Sequence, residues 1–187
     1  APAPAQAPSA FSKKNRFGVR VGLGSTSLTG ENVNESALSS RNGLRAGVFA
    51  IFQKTPNIAF EPGLTYVQKG TEVGSDAIKL DYVQISAIGA ATFPFQSAAR
   101  FKLLAGINLN TLISAKTSSD GASMDIKQDT KPFDMGAVIG AGFDLAAGPS
   151  LIIVDVRYER GLFSLDDTGG DADIKNSSLS ANLGFAF

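Results

Sequence analysis

The sequence predicts an all-β protein, an eight-stranded antiparallel up-and-down transmembrane β-barrel, from three observations. Apolar residues alternate with small or polar residues in eight segments of about ten residues or more. The segments are joined by connections that alternate between short and long. The longest apolar run is far below the roughly 20 residues that a membrane-spanning helix requires. A chain of this kind that crosses a membrane must therefore cross it as strands.

The eight predicted strands share one design, with an apolar face and a face of glycine, polar and charged residues. They cover residues 16–28, 43–53, 58–69, 79–95, 100–115, 132–145, 151–162 and 175–187. In the first strand, Phe17 and Val19 lie on one face, and Gly18 and Arg20 lie on the other. A membrane barrel turns the apolar face of each strand to lipid and the polar face to its interior.

The connections predict the orientation of the barrel. Short turns are expected at 54–57, 96–99 and 147–150, and longer polar stretches at 29–42, 70–77, 116–131 and 164–174. Outer-membrane barrels have short periplasmic turns and longer outer loops, which gives three short and four long connections for eight strands. A soluble sandwich also shows alternation, but it gives no reason for connection lengths to alternate. The sequence therefore favours the membrane barrel over the soluble alternative.

Composition excludes several classes of function. Lys plus Arg equals Asp plus Glu at 17 each, so no net charge attracts nucleic acid, and none is expected as a partner. The chain contains no cysteine and no histidine. These absences remove disulfides, thiolate metal sites, the Ser-His-Asp triad and the HExxH zinc site. We expect no catalytic residue and no cofactor.

The N-terminal region differs from the rest of the chain. It begins with APAPAQAP and has neither an initiator Met nor a basic and apolar leader, which indicates that a signal peptide has been removed. We expect residues 1–15 to form a flexible Pro/Ala-rich periplasmic tether and residues 16–187 to form the barrel. The predicted location is the bacterial outer membrane.

The polar faces of the strands carry charges of both signs. Eight strands enclose only enough room for side chains, so these charges are expected to pair inside a filled lumen, with a narrow or gated passage as the alternative. The predicted lumen charge network comprises Arg20, Arg45, Glu61, Lys102, Asp134, Asp144, Asp155, Arg157 and Glu159.

Aromatic residues on the apolar faces are expected to lie at the two membrane interfaces. The predicted interface aromatics are Phe17, Phe52, Tyr66, Phe93, Phe101, Tyr158 and Phe185, with the two tyrosines at the outer interface. The last strand places Leu183, Phe185 and Phe187 on its apolar face. This ending is similar to the signal that the outer-membrane barrel assembly machinery reads in Gram-negative bacteria.

A predicted outer loop contains four carboxylates around two glycines. Asp166, Asp167, Asp171 and Asp173 supply the hard oxygen ligands that calcium prefers, but their spacing does not fit an EF-hand. A solvated acidic loop is the preferred interpretation, and no metal is predicted.

Five segments resemble a known family. They are 61–70 (EPGLTYVQKG), 81–86 (DYVQIS), 140–143 (GAGF), 157–162 (RYERGL) and 182–187 (NLGFAF). Together they are similar to the Bacteroidetes-type outer-membrane β-barrel family that includes PorT-like proteins. The resemblance extends over 16–187 and implies a fold and a membrane rather than one activity. The fourth strand in that family often reads Tyr-Leu-Glu-Ile-Pro, so Gln84 and Ser86 depart from its pattern.

Two functions remain open at this point, and an enzyme is disfavoured. The first is a structural or interaction protein that contacts outer-membrane lipid and a protein partner through its outer loops or its periplasmic tether. The second is a small transport channel or a secretion-accessory component. A lipid-modifying or proteolytic enzyme is less favoured because histidine is absent.

Overall fold

The computed structural model describes residues 10–30, 39–73, 76–96, 98–119, 122–126, 132–163 and 174–187. Within these ranges the chain forms one short 3-10 turn, η1, and nine β-strands. The turn is Ala10–Ser12, and the strands are β1 Asn15–Gly30, β2 Ser39–Thr55, β3 Ile58–Val73, β4 Asp76–Gln96, β5 Ala99–Ser119, β6 Ala122–Asp125, β7 Phe133–Ala147, β8 Ser150–Gly161 and β9 Ile174–Ala186.

Eight of these strands close into a barrel. Their order is β4-β3-β2-β1-β9-β8-β7-β5, and pairing between β4 and β5 closes the ring. Every pairing is antiparallel. The ninth strand, β6, is a four-residue strand that pairs with the end of β5. The predicted eight-stranded antiparallel barrel is confirmed, and β6 is an addition that the sequence analysis missed.

The alternation of apolar and polar residues decides which face of each strand points outward. Phe17, Val21 and Leu23 on β1 are 59%, 52% and 67% exposed, whereas Gly18 and Gly24 on the opposite face of the strand are buried. The same alternation holds along all twelve residues of β8. A continuous apolar outer surface of this extent requires hydrocarbon around it, since a soluble protein rarely exposes a large apolar patch.

The three short connections lie where the sequence placed them. Two-residue turns occur at Pro56–Asn57 and at Gly148–Pro149, and residues 97–98 join β4 to β5. Gly148 has a φ of 61°, a left-handed conformation that glycine adopts at no steric cost. All three turns lie at one end of the barrel, which we call the short-turn end.

Two long connections are shorter than predicted. β3 runs to Val73 and β4 starts at Asp76, so most of the expected 70–77 loop is a β-ladder. The expected 116–131 loop contains the end of β5 and all of β6. The prediction of irregular structure there was wrong. The sequence pattern marks a strand only where apolar and polar residues alternate, whereas the backbone hydrogen bonds between these strands continue beyond that point. Gly70 has a φ of 142°, and a Cβ there would collide with the carbonyl oxygen of Ile78.

The barrel interior contains apolar as well as charged layers. One apolar cluster includes Phe49, Ile51, Ile88, Leu104 and Ile153, all on interior faces that the sequence analysis expected to be polar or small. A second, smaller cluster comprises Leu80, Tyr82, Leu112 and Ala115. The ionisable side chains are therefore enclosed among apolar groups as well as glycine and amides.

The segment before β1 packs against the barrel from residue 10 onward. Phe11 of η1 contacts the first apolar cluster, and the guanidinium of Arg100 lies 4.2 Å from the centre of its ring. The predicted tether stays a prediction for residues 1–9, which lie outside the described residues. Among the described residues, no helix is long and apolar enough to cross a membrane.

Candidate functional site: the charged lumen

All nine predicted lumen charges lie on interior faces of the barrel strands. Strand β8 shows how the sequence places them. Asp155, Arg157 and Glu159 occupy every second position of the strand, so their side chains point to the same face. Eight of the nine residues are buried, and the side chain of Arg20 is 11% exposed. The structure brings eight of them together as ion pairs and places Asp134 differently.

Glu61 on β3 is the centre of the first group of ion pairs. Its carboxylate lies 3.0 Å from Lys102 Nζ, 3.3 Å from Arg20 Nη2 and 3.5 Å from Arg157 Nη2. Asp155 Oδ1 accepts a hydrogen bond of 2.7 Å from Arg157 Nε, and Asp144 Oδ1 lies 2.8 Å from Lys102 Nζ. Each cation of this group thus contacts two carboxylates, since Arg20 also lies 3.4 Å from Asp155.

Glu159 on β8 is the centre of the second group, and its main partner was missed by the sequence analysis. Lys69 Nζ lies 2.5 Å from Glu159 Oε1, and Lys69 is fully buried. Arg45 Nη2 lies 3.8 Å from the other oxygen. The sequence contained a signal for Lys69, because it shares the interior face of its strand with Glu61. With Lys69 included, the network contains five cationic and five anionic side chains.

Amide side chains complete the second group. Asn108 Nδ2 donates to Glu159 at 2.6 Å, Asn110 Nδ2 donates at 3.2 Å, and Gln84 Nε2 donates at 2.9 Å. Gln84 Oε1 also accepts a 2.6 Å hydrogen bond from Arg45. Gln84 is one of the two residues that depart from the fourth-strand pattern of the similar family. Its neutral amide accepts a hydrogen bond from the cation Arg45 and donates one to the anion Glu159.

Asp134 lies in the lumen, outside the ion pairs formed by the described residues. Its Oδ2 accepts a 3.0 Å hydrogen bond from Asn176 Nδ2. Both residues are buried near the second apolar cluster. Asp134 therefore belongs to the lumen, and the contact that positions it is to an amide.

Glycines give the large side chains their space. A Cβ on Gly142 would lie 2.6 Å from the Cβ of Asp155, and one on Gly18 would lie 2.7 Å from the ring of Phe49. The ring of Phe49 in turn lies 4.2 Å from the guanidinium carbon of Arg20. Glycine on one strand and a large side chain on the next therefore fill the interior together.

Little space remains inside the described part of the barrel. A cavity of about 20 Å³ lies among Arg20, Arg45, Thr65, Gln84, Ser86, Arg157 and Asn182. Another, of about 10 Å³, lies at the short-turn end beneath Phe11. Each has room for about one water molecule. The arrangement can hold charge and isolated water.

All seven predicted interface aromatics point away from the lumen. The five phenylalanines lie toward the short-turn end. There the ring centroids of Phe93 and Phe101 are 6.4 Å apart, and those of Phe101 and Phe143 are 5.5 Å apart. Tyr66 and Tyr158 lie farther along their strands, and Tyr158 Oη accepts a 3.1 Å hydrogen bond from Ser177. Further outward phenylalanines at the short-turn end were not predicted: Phe60, Phe95, Phe143 and Phe187. The placement of the seven predicted aromatics at the membrane interfaces stays a prediction.

Two other predicted sites have different outcomes. Leu183, Phe185 and Phe187 lie on the outward face of β9, where they are 53%, 45% and 57% exposed. Their role as an assembly signal stays a prediction. The four carboxylates at Asp166, Asp167, Asp171 and Asp173 lie outside the described residues.

Comparison with known proteins assigns the family. A family model described as "Outer membrane protein beta-barrel domain" matches residues 5–167, most of the chain. The chain belongs to this outer-membrane barrel family. Its location is therefore the bacterial outer membrane, and the short-turn end of the barrel faces the periplasm, as in barrels of this type.

Solved structures support the same fold for this outer-membrane barrel. Neisserial surface protein A is 18% identical, covers 91% of this chain and 97% of its own, and has a TM-score of 0.58. The outer membrane enzyme PagL is 15% identical over 89% and 97% of the two chains, with a TM-score of 0.54. OprG from Pseudomonas aeruginosa is 12% identical over 96% and 99%, with a TM-score of 0.52. No curated protein sequence matches the chain significantly.

Proposed function

We propose that this outer-membrane barrel is a non-enzymatic scaffold with a lumen closed by its own side chains. The observation that carries the proposal is the packed charge network, with five cations and five anions surrounded by amides and apolar groups. Interior cavities of about 20 Å³ and 10 Å³ each have room for about one water molecule, which supports a closed lumen. The surfaces left for function are its lipid-facing wall and its two ends.

The proposal that the protein is not an enzyme rests on its available chemistry. The chain has no histidine and no cysteine to act as a base or a nucleophile. Both lumen lysines, Lys69 and Lys102, are held in ion pairs with lumen carboxylates at 2.5 to 3.0 Å. A protein partner would then bind the long connections or the N-terminal residues, and the assembly machinery would read the outward face of β9 during insertion.

The narrower family assignment also belongs to this proposal. We place the chain near the Bacteroidetes-type PorT-like barrels on the five similar segments. Within these segments, Glu61 and Lys69 of the first and Glu159 of the fourth face the lumen network. The likeness therefore includes residues that hold the interior together, and it supports a shared interior design.

Single-channel conductance tests the closed lumen. Purified protein would be folded into detergent and added to a planar bilayer, with a Glu61→Ala/Lys102→Ala variant as the comparison because it removes two buried side chains from the packed centre. We expect the native chain to give no conductance steps and the variant to give small ones. Discrete steps from the native chain would contradict a filled lumen and would support the alternative, a small transport channel or secretion-accessory component.

A further inference from the structure

The connections at the two ends of the barrel differ in their content of acidic residues. Residues 1–16 and the three short turns, at 53–58, 94–100 and 146–150, contain no Asp or Glu. The four long connections contain two, two, three and four acidic residues at 29–42, 70–78, 116–131 and 162–174. Since the 17 acidic and 17 basic residues balance over the whole chain, this is a separation of charge along the barrel axis.

The basic residues of the short-turn end form a collar, which we define as Lys13, Lys14, Lys54 and Arg100. The three lysines are exposed, and Arg100 is half-buried over the ring of Phe11. The backbone carbonyl of Lys14 accepts a 2.7 Å hydrogen bond from the amide of Gln53, so Lys14 lies opposite the residue that precedes Lys54. This backbone contact fixes Lys14 to the end of β2.

The collar lies immediately beyond the apolar surface that faces lipid. Lys54 lies two residues after the outward-facing Phe52, at an irregularity in the pairing of β2 with β3, and its side chain is exposed. Phe17 begins the outward face of β1 three residues after Lys14, and its carbonyl accepts a 2.9 Å hydrogen bond from the amide of Phe187. Lysine stems in this position extend along the apolar wall while their ammonium groups reach the headgroup layer.

From this placement we infer that the collar binds anionic phospholipid headgroups in the leaflet on the short-turn side. The three lysines are exposed at this end, and the short turns beside them contain no acidic residue. The described carboxylates nearest to Lys13, those of Glu61 and Asp144, are buried in the lumen, where each forms ion pairs with interior cations. Each lysine held near an anionic membrane surface strengthens binding about fivefold at low salt. The opposite end has exposed lysines of its own, but acidic residues accompany them.

Native mass spectrometry of the full chain tests the inference. The protein would be held in detergent micelles with equal amounts of phosphatidylglycerol and phosphatidylcholine, and the ratio of the two bound lipids would be measured. We expect phosphatidylglycerol to be preferred by about tenfold or more. The preference should fall to near one in a Lys13→Gln/Lys14→Gln/Lys54→Gln variant and in 0.5 M salt, because added salt screens exposed charges.

A matched variant controls for the loss of total charge. Lys79→Gln/Lys116→Gln/Arg160→Gln removes three exposed cations from the other end, and it should keep the native preference. Replacing the three collar lysines with arginine should keep it as well. An equal loss of preference in the matched variant would overturn the inference, because the effect would then come from net charge alone.

An acidic polymer is the competing occupant of such a surface. Polyglutamate would be titrated onto the native chain and the collar variant in nanodiscs of phosphatidylcholine. Collar-dependent polymer binding without any preference for phosphatidylglycerol would overturn the lipid assignment. The absence of both interactions would overturn it too, whereas lipid preference that depends on the three lysines would support it.

Discussion

Replacing Glu61 with glutamine tests whether the lumen network stabilises the barrel. The change keeps the shape of the side chain and removes one buried negative charge. Lys102, Arg20 and Arg157 each lose a carboxylate contact, at 3.0, 3.3 and 3.5 Å. The variant leaves the packing of the lumen intact, so its effect reports on charge.

The expected loss of stability depends on the carboxylate contacts that each cation retains in the variant. Removing one partner of a buried ion pair costs about 3 to 5 kcal/mol, since the other charge stays buried. Here Lys102 still contacts Asp144 at 2.8 Å, and Arg157 still contacts Asp155 at 2.7 Å. The charge left behind is therefore shared and partly compensated. We expect the free energy of unfolding to fall by about 3 kcal/mol, at the lower end of that range.

The assay is urea unfolding in detergent micelles, followed by far-UV circular dichroism because the chain has no tryptophan. The native protein, Glu61→Gln and the control Gln96→Glu would be compared at equal protein concentration. The control makes the reverse amide–carboxylate exchange at an exposed position at the end of β4 and should change stability by less than about 0.5 kcal/mol. A Glu61→Gln variant as stable as the control would refute the view that these charges depend on one another.

Three further predictions use the same measurement. Glu159→Gln should lower the free energy of unfolding by about 4 to 5 kcal/mol, more than Glu61→Gln, because the fully buried Lys69 loses its 2.5 Å ion pair. A loss equal to or smaller than that of Glu61→Gln would contradict this. Phe11→Ala should lower stability by about 1 to 2 kcal/mol through loss of a half-buried ring, whereas an unchanged midpoint would show that η1 does not contribute. Gly142→Val should reduce the fraction that shows folded mobility on an unheated gel, whereas Gly89→Val, where a Cβ meets only one oxygen at 3.6 Å, should be tolerated.

Much of the barrel could be predicted because a strand repeats every two residues. Once Phe17 and Gly18 had been assigned to opposite faces, the faces of the remaining β1 residues followed from their sequence positions. The same rule placed Asp155, Arg157 and Glu159 inside the barrel. It failed beyond residue 70, where strands continue past the membrane-facing surface and no longer need alternating apolar side chains.

Other features depended on which strands are neighbours. The sequence placed Glu61 inside the lumen but could not show that three cations from β1, β5 and β8 meet it there. It also gave no sign that Phe49 and Ile153 would form an apolar layer beside those charges. The sequence shows that Phe49 and Ile153 lie on the polar faces of their strands. Which residues they pack against depends on the contacts across the interior of the barrel.

The sequence by itself determined that the chain is an eight-stranded barrel, which residues face lipid and where the three short turns lie. These properties follow from local periodicity and turn chemistry, which each segment carries without reference to the others. Only the tertiary structure decided that Lys69 pairs with Glu159 across 90 residues of chain and that three cations meet Glu61 in the lumen. Closing the barrel fixes the register of all eight strands together, and that register determines which charges lie within hydrogen-bonding distance.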